Sequence, residues 1–255
     1  MTAGLDALPP RWRDDRLVRS DLARLLHRGA RVIGDEETFV LVGEGRHGTV
    51  VSGMSDDGAA ARLVVSLVDS GEIAPPVQVL TLPRGDDLPD AVCERLGVAP
   101  NAGWDWMSTS TAPPAGHPGL VEPLDLATEV PAIRDCLAEA NPTTESDPAG
   151  PHEAGWWGVR DGDRLVGVIG AGLRGGADDD GASWHLHGLG VRPEARKRGL
   201  GTALTAAATA AGLAGGADWV SLGVWAPNAA AIRIYERLGF RTDHRNRSYR
   251  PLDRS

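Results

Sequence analysis

The sequence predicts an α/β fold built on a mixed sheet. Strand-length apolar stretches alternate with helical periods along the chain, and glycine and proline punctuate them. A 42% apolar composition over 255 residues also supplies enough material for packed cores. That length allows one large domain or two small ones. The run MSTSTAPPAGHPGL is rich in Ser, Thr, Pro and Gly and keeps no apolar period. It marks a boundary, giving an N-terminal α/β domain at 1–107, a linker at 108–117 and a second domain at 118–255.

In the first domain a helix is expected over 15–27. Strands follow in ETFVLVG, GTVVSGM, RLVVSLV and VQVLTL, and a helix in DLPDAVCERLG. In the second, GLVEPLD reads as a short strand. LATEVPAIRDCLAEA reads as a helix with Val130, Ile133, Leu137 and Ala140 at helical spacing. Strands GWWGVRD and RLVGVIGAGL join through the turn Asp161-Gly162-Asp163. The loop GGADDDGA then leads to a third strand, SWHLHGLGV. An alanine-rich helix over about 199–213, a strand DWVSLGV, a helix NAAAIRIYERLG and a final extended segment complete the order. The sequence stops soon after SYRPL, so the last strand is expected to be short or supplied by another part of the molecule. The halves echo each other: VLTLPRGDDLPDAVCERLGV aligns with SLGVWAPNAAAIRIYERLGF at one constant offset. A decayed repeat explains the echo, and so does the match that any glycine-capped amphipathic helix gives.

Composition excludes several classes. The net charge of −9 argues against a nucleic-acid partner held by phosphate neutralisation. The longest small-residue stretch, 200–217, is broken by glycines and threonines, so no membrane span is expected. The N-terminus lacks the apolar core of a signal peptide, and Cys93 and Cys136 read as reduced thiols, which together predict a cytoplasmic protein. Charge is uneven: residues 192–255 hold eleven basic and five acidic side chains, so an anionic ligand is expected there.

The strongest local signal is Arg196-Lys197-Arg198-Gly199-Leu200-Gly201-Thr202, lying between a strand and a helix. Free N–H groups at a helix start converge on an anion, the helix dipole adds positive charge, and glycine lets the backbone come close. A Walker loop would need Gly-Lys-Ser/Thr, and the dinucleotide fingerprint a third glycine where Leu204 stands, so neither fits. Downstream, Asn228 opens a helix that closes as Tyr235-Glu236-Arg237-Leu238-Gly239-Phe240. With both motifs in register, the stretch from about Leu120 onward resembles the GNAT superfamily of acetyl-CoA-dependent N-acetyltransferases. The resemblance implies a GNAT fold for the second domain, with the first a candidate degenerate GNAT-like repeat. It implies acetyl-CoA as cosubstrate, no metal, and a sheet splayed between the strand ending at Val191 and the strand from Trp219. Pantetheine would lie along Leu189, Gly190 and Val191 like an added strand, with the phosphates on the 196–202 loop and Asn228 nearby.

Acetyl transfer requires that an amine lose its proton, that an oxyanion find donors and that a thiolate be protonated. In the family the tyrosine at the position of Tyr235 commonly serves the thiolate; a packing role in the core is the alternative. His185 and His187 lie two apart on one strand, so both project from one face. The string HLHGLGV is similar to the paired-histidine strand of the arylalkylamine N-acetyltransferases, which makes the pair candidate bases. Simple hydrogen-bonded strand histidines are the other reading, and a zinc site lacks a third ligand. Glu139, Glu145, Asp147 and Glu153 fall where the family shapes its acceptor pocket, which favours a small cationic amine; a solvated acidic loop would carry the same residues. In the echo Cys93 stands for Tyr235 and Asp86 for Asn228, and no phosphate loop precedes them, so a relic half is expected to bind no coenzyme. The expectation is therefore an N-acetyltransferase acting on a small-molecule amine, with a homodimer left open. A non-catalytic acyl-CoA sensor and a protein or peptide N-acetyltransferase are the rivals.

Overall fold

The computed structural model describes residues 5–56, 58–114, 119–175 and 183–252. All but the first residue of the expected loop GGADDDGA and part of the expected linker lie outside these. A π-helical turn, Val18–Leu22, runs into α1 (Ala23–His27). Then β1 (Arg31–Gly34), β2 (Phe39–Gly45) and β3 (Gly48–Met54) form an antiparallel meander. α2 (Ala59–Asp69) crosses over to β4 (Val77–Pro83), which pairs parallel with β3, and α3 (Asp90–Leu96) leads to the long β5 (Val98–Thr109). After β6 (Glu122–Leu124) and α4 (Val130–Ala140), the same order returns. β7 (Glu153–Asp161), β8 (Arg164–Arg174) and β9 (Ser183–Val191) form a meander, and α5 (Leu200–Ala214) crosses to β10 (Trp219–Trp225), parallel to β9. α6 (Ala229–Arg237) leads to β11 (Arg241–Pro251). The alignment that pairs Gly97 with Gly239 also superposes the bounds of β4 on those of β10, Val77 on Trp219 and Pro83 on Trp225. Gly97 and Gly239 both sit at positive φ, where each helix hands over to its strand.

One eleven-stranded sheet passes through both halves in the order β1-β2-β3-β4-β11-β5-β10-β9-β8-β7-β6. β11 stands beside β4, and β5 beside β10; the two long strands pair antiparallel with each other at the centre. Each half therefore completes the sheet of the other. The final strand is not short: β11 spans eleven residues. The place next to β10 is indeed filled from elsewhere, by β5.

One strand expectation is overturned. RLVVSLV lies inside α2, not in a strand. Its valines favour a strand locally, but Ala60, Ala61, Val64, Leu67 and Val68 recur at helical spacing and are buried in one core with Leu80, Leu82 and Tyr249. Burial of that stripe outweighs the propensity of its β-branched residues. β1 was not anticipated; it is a four-residue edge strand with little apolar pattern.

On one face of the sheet, α5 and α6 bury Leu204, Leu222, Val224, Tyr235 and Phe240. On the other, α4 buries Ile133, Cys136 and Leu137 against Trp156 and Val168, and the N-terminal segment covers Trp106 and Trp219. Arg192, fully buried at the end of β9, donates to the Leu165 carbonyl at 2.8 Å and pairs with Asp135 at 2.6 Å and with Glu139 of α4. These contacts raise its pKa and tie the end of β9 to α4.

Because each half lacks its innermost strand without the other, fragments 1–117 and 118–255 expressed alone are expected to be insoluble, and expressed together to reconstitute a soluble complex. Circular dichroism and size exclusion check this. A cooperatively folded single fragment would contradict it.

Candidate functional site

The 196–202 loop is shaped by two left-handed residues. Arg196 is extended, Lys197 turns at φ 62, and Gly199 at φ 78 is the N-cap of α5 without any side-chain cap. The first backbone bond of the helix closes from the Ala203 amide to the Gly199 carbonyl at 3.1 Å. The amides of Leu200, Gly201 and Thr202 precede it and have no intrahelical partner. No acidic residue occupies the first turn. A Cβ placed at Gly199 or Gly201 would meet nothing within 4 Å, so the backbone is approachable here. Lys197 and Arg198 are exposed. Arg196 is differently employed: it donates to the Val191 carbonyl at 3.0 Å and to the Ala140 carbonyl at 3.2 Å, clamping the loop to β9 and α4.

Next to this loop the sheet opens. β9 and β10 are paired from Ser183↔Trp219 to Leu186↔Leu222 and no further. Beyond that point β9 continues to Val191 paired only with β8, and β10 to Trp225 paired only with β5. A register shift between Val168↔Gly190 and Gly170↔His187 places a bulge in β9, where Gly188 adopts φ 61. A Cβ at Gly188 would lie 2.6 Å from the Trp156 ring, so both conformation and space require glycine. The Leu189 carbonyl accepts from Asn141 Nδ2 at 3.2 Å, which fixes the strand beyond the bulge.

Leu186 points into the α5/α6 core, so strand alternation sends His185 and His187 to the opposite face. His187 Nε2 lies 3.2 Å from Glu153 Oε2, and the same oxygen accepts from Trp156 Nε1 at 2.6 Å. The Trp156 ring meets the imidazole edge-on at 5.4 Å. His187 opens onto a cleft of about 370 Å³ lined by Glu145, Asp147, His152, Glu153 and Arg174 among others. Arg134 at 2.7 Å and the Ala149 amide hold the Asp147 carboxyl below the usual carboxylate range. Of the four acidic residues singled out in the sequence, Glu139 is not at the cleft; it is taken up by Arg192 and Arg164. His185 faces Ser221. Its Nδ1 lies 2.9 Å from Ser221 Oγ, bridging β9 and β10 just before they part, and burial pushes its pKa down to about 4.

Tyr235 belongs to α6 on the other face, packed 6.0 Å from Phe240 in the apolar cluster that contains Leu200, Leu222 and Val224. Burial raises its phenol pKa, keeping it protonated at neutral pH. Asn228 caps α6, its Oδ1 accepting from the Ala231 amide at 3.2 Å. Residues 189–191 and the 196–202 loop thus follow the parting on the β9 side, Asn228 follows the end of β10, Tyr235 shares an apolar cluster with Leu222 and Val224, and His187 lies on the other face. Glu153 as the partner of His187 and Trp156 as its wall were not legible, since each contact joins strands distant in sequence. Among the described residues, no group of three His, Cys, Asp or Glu could hold a metal ion. No described helix is long and apolar enough to cross a membrane.

A neutral His185, desolvated within the sheet, binds its proton less readily in the folded than in the unfolded chain. Folding stability is then fully present above about pH 6.5 and falls as pH drops toward 4. His185→Gln is expected to flatten the dependence of Tm on pH in that window, and an unchanged slope would contradict the assignment.

Residues 126–240 match the model of the Acetyltransferase (GNAT) family. A mycothiol acetyltransferase of Kocuria rhizophila is 38% identical over 91 residues, which cover 36% of this chain and 30% of that protein. One of Thermobispora bispora is 48% identical over 61 residues, 24% of this chain and 21% of its own. The matched segments therefore span less than a third of these relatives. Among solved structures, a GCN5-related N-acetyltransferase from Kribbella flavida superposes with a TM-score of 0.59 at 20% identity, covering 92% of this chain and 93% of its own. An acetyltransferase of the GNAT family from Colwellia psychrerythraea gives 0.57 at 11% identity over 98% of both chains. With the fold shared along the whole chain and the family's pattern matched within it, residues 126–240 are a domain of the GNAT acetyltransferase family.

Proposed function

We propose that the chain is an acetyl-CoA-dependent N-acetyltransferase that acts on a small primary amine by direct attack on the thioester. The reactive centre lies in 118–255, and 1–107 serves as the supporting lobe. The observation that carries this reading is the parting of β9 from β10, with the uncapped start of α5 at one end and the His187–Glu153 cleft beside it. Its features fit the coenzyme: exposed amides and cations suit a pyrophosphate, and an unpaired strand edge suits an amide-bearing arm.

In this proposal the amides of Leu200, Gly201 and Thr202 hold the phosphates with Lys197 and Arg198, and Gly199 keeps them within reach. Arg196 acts as a positioning residue through its bonds to Val191 and Ala140. The arm pairs along Leu189, Gly190 and Val191, past Asn228. Bound acetyl-CoA supplies an acetyl group activated as a thioester. A backbone N–H of 189–191 takes the charge that develops on the acetyl oxygen. The acceptor enters from the cleft, where Glu145, Asp147 and Glu153 favour a cationic amine. His187, oriented by Glu153, receives the amine proton directly or through water. His185, neutral and bound to Ser221, holds the strands in place. The new C–N bond forms as the C–S bond breaks, and Tyr235, reaching the parting from the α6 face, donates its proton to the thiolate. Two unpaired, buried cysteines are consistent with a reducing cytoplasm. A sensor that only binds coenzyme has no use for Tyr235 or the His187–Glu153 pair.

Gly201→Trp fills open space at an ordinary helical position, so it is expected to fold normally and to abolish acetyl-CoA binding in calorimetry. Retained micromolar affinity would rule out the phosphate site. Tyr235→Phe is expected to bind acetyl-CoA as the wild type does and to lose about 10²-fold in kcat for thiol release; equal turnover would remove Tyr235 from the chemistry. Glu153→Gln and His187→Ala are both expected to change the pH–rate profile of kcat without changing acetyl-CoA affinity. Profiles identical to wild type would exclude the pair.

A further inference from the structure

The start of α2 repeats the geometry of the start of α5. Gly58 at φ 81 and Gly199 at φ 78 are both left-handed N-caps without side-chain caps, and each stands after the strand that pairs parallel with the next one. What the first amides meet is different. Asp86, only 6% exposed, places Oδ2 3.1 Å from the Ala60 amide and 2.8 Å from Ser55 Oγ. Ser55 Oγ is itself 3.3 Å from that amide. In the repeat Asp86 aligns with Asn228, whose side chain caps its own helix instead. The exchange of an amide for a carboxylate at this position thus accompanies a change of target, from the following helix to the preceding one.

The adjoining parting is packed on one side. The pairing of β3 with β4 ends at Ser52↔Thr81, as that of β9 with β10 ends at Leu186↔Leu222. Just beyond it, a Cβ at Gly53 would lie 2.6 Å from Leu82 and 3.0 Å from Ala60. Leu82 and Met54 are both buried. The Ala60 amide is thus already taken by a carboxylate, while the other side of the β3/β4 parting borders a cavity of about 220 Å³ lined by Ser52, Gly53, Met54 and Thr81.

We infer that Asp86 is an intramolecular replacement for a bound phosphate. Its carboxylate supplies the anion that the start of α2 requires, so the first lobe holds its fold without a ligand and the chain takes a single coenzyme. The single-coenzyme part rests on the proposed function; the role of Asp86 does not.

Two measurements test it. Calorimetry with acetyl-CoA is expected to give one molecule per wild-type chain and none for Gly201→Trp; two per chain, or one remaining in the variant, would overturn the inference. Asp86→Ala is expected to lower Tm, and added inorganic phosphate or acetate to restore it saturably, while wild type and Ser55→Ala, which keep the carboxylate, show only the smaller response that the open start of α5 gives. An Asp86→Ala chain whose Tm responds to these anions no more than wild type would contradict the role of Asp86. Should Asp86→Ala not fold, the wild-type stoichiometry still decides. If acetyl-CoA fails to bind at all while Asp86→Ala is rescued by phosphate, the coenzyme reading falls and the role of Asp86 stands.

Discussion

The arrangement depends on two parallel strands that stop pairing. β9 and β10 share only the pairs from Ser183↔Trp219 to Leu186↔Leu222, and the candidate coenzyme edge at 189–191 lies where they part. A parted pair leaves backbone polar groups without ladder partners, which is costly unless another group pairs with them. Several contacts hold the opening in shape. His185 and Ser221 bridge the strands one pair before the last, the Gly188 bulge redirects β9, and Asn141, Arg192 and Arg196 fix the strand beyond it. The opening is therefore a built feature of the sheet. It also connects the two faces, with Tyr235 on one and His187 on the other.

The exchange of β5 and β11 explains how a domain-sized unit keeps this opening rigid. β10 must be supported on the side away from the parting, and β5, a strand of twelve residues from the other half, lies against it from Trp104↔Trp225 to Thr109↔Val220. β11 gives β4 the same support. The two halves have diverged within one plan. In the first, Asp86 occupies the helix start that corresponds to the open loop of the second. In the proposed reading, chemistry falls to one half and buttressing to the other.

The sequence was most informative where function is written in local backbone. The 196–202 loop, the Asn228 cap and the glycine closing α6 are short-range features, and all lie on the expected elements. The echo between the halves was also visible, because β4–α3 and β10–α6 keep a constant spacing. Misreading RLVVSLV as a strand shows the limit of propensity: only its burial against β4 and β11 selects the helix. The partners of His187 and His185, at Glu153 and Ser221, come from strands 34 and 36 residues away and have no sequence signature. The exchange of the long strands is equally nonlocal, and it decides which half each strand supports. Arg196 illustrates the remaining gap, since a basic residue in a phosphate motif reads as ligand charge until its carbonyl partners are known.

The most direct test is hydrogen exchange of the wild-type protein with and without acetyl-CoA. The account predicts that backbone amides of residues 189–191 and 200–202 gain protection on binding, while those of β3 and the start of α2 do not change. Protection confined to the first lobe, or none along β9, would contradict the claim that the parting of β9 and β10 is the coenzyme site.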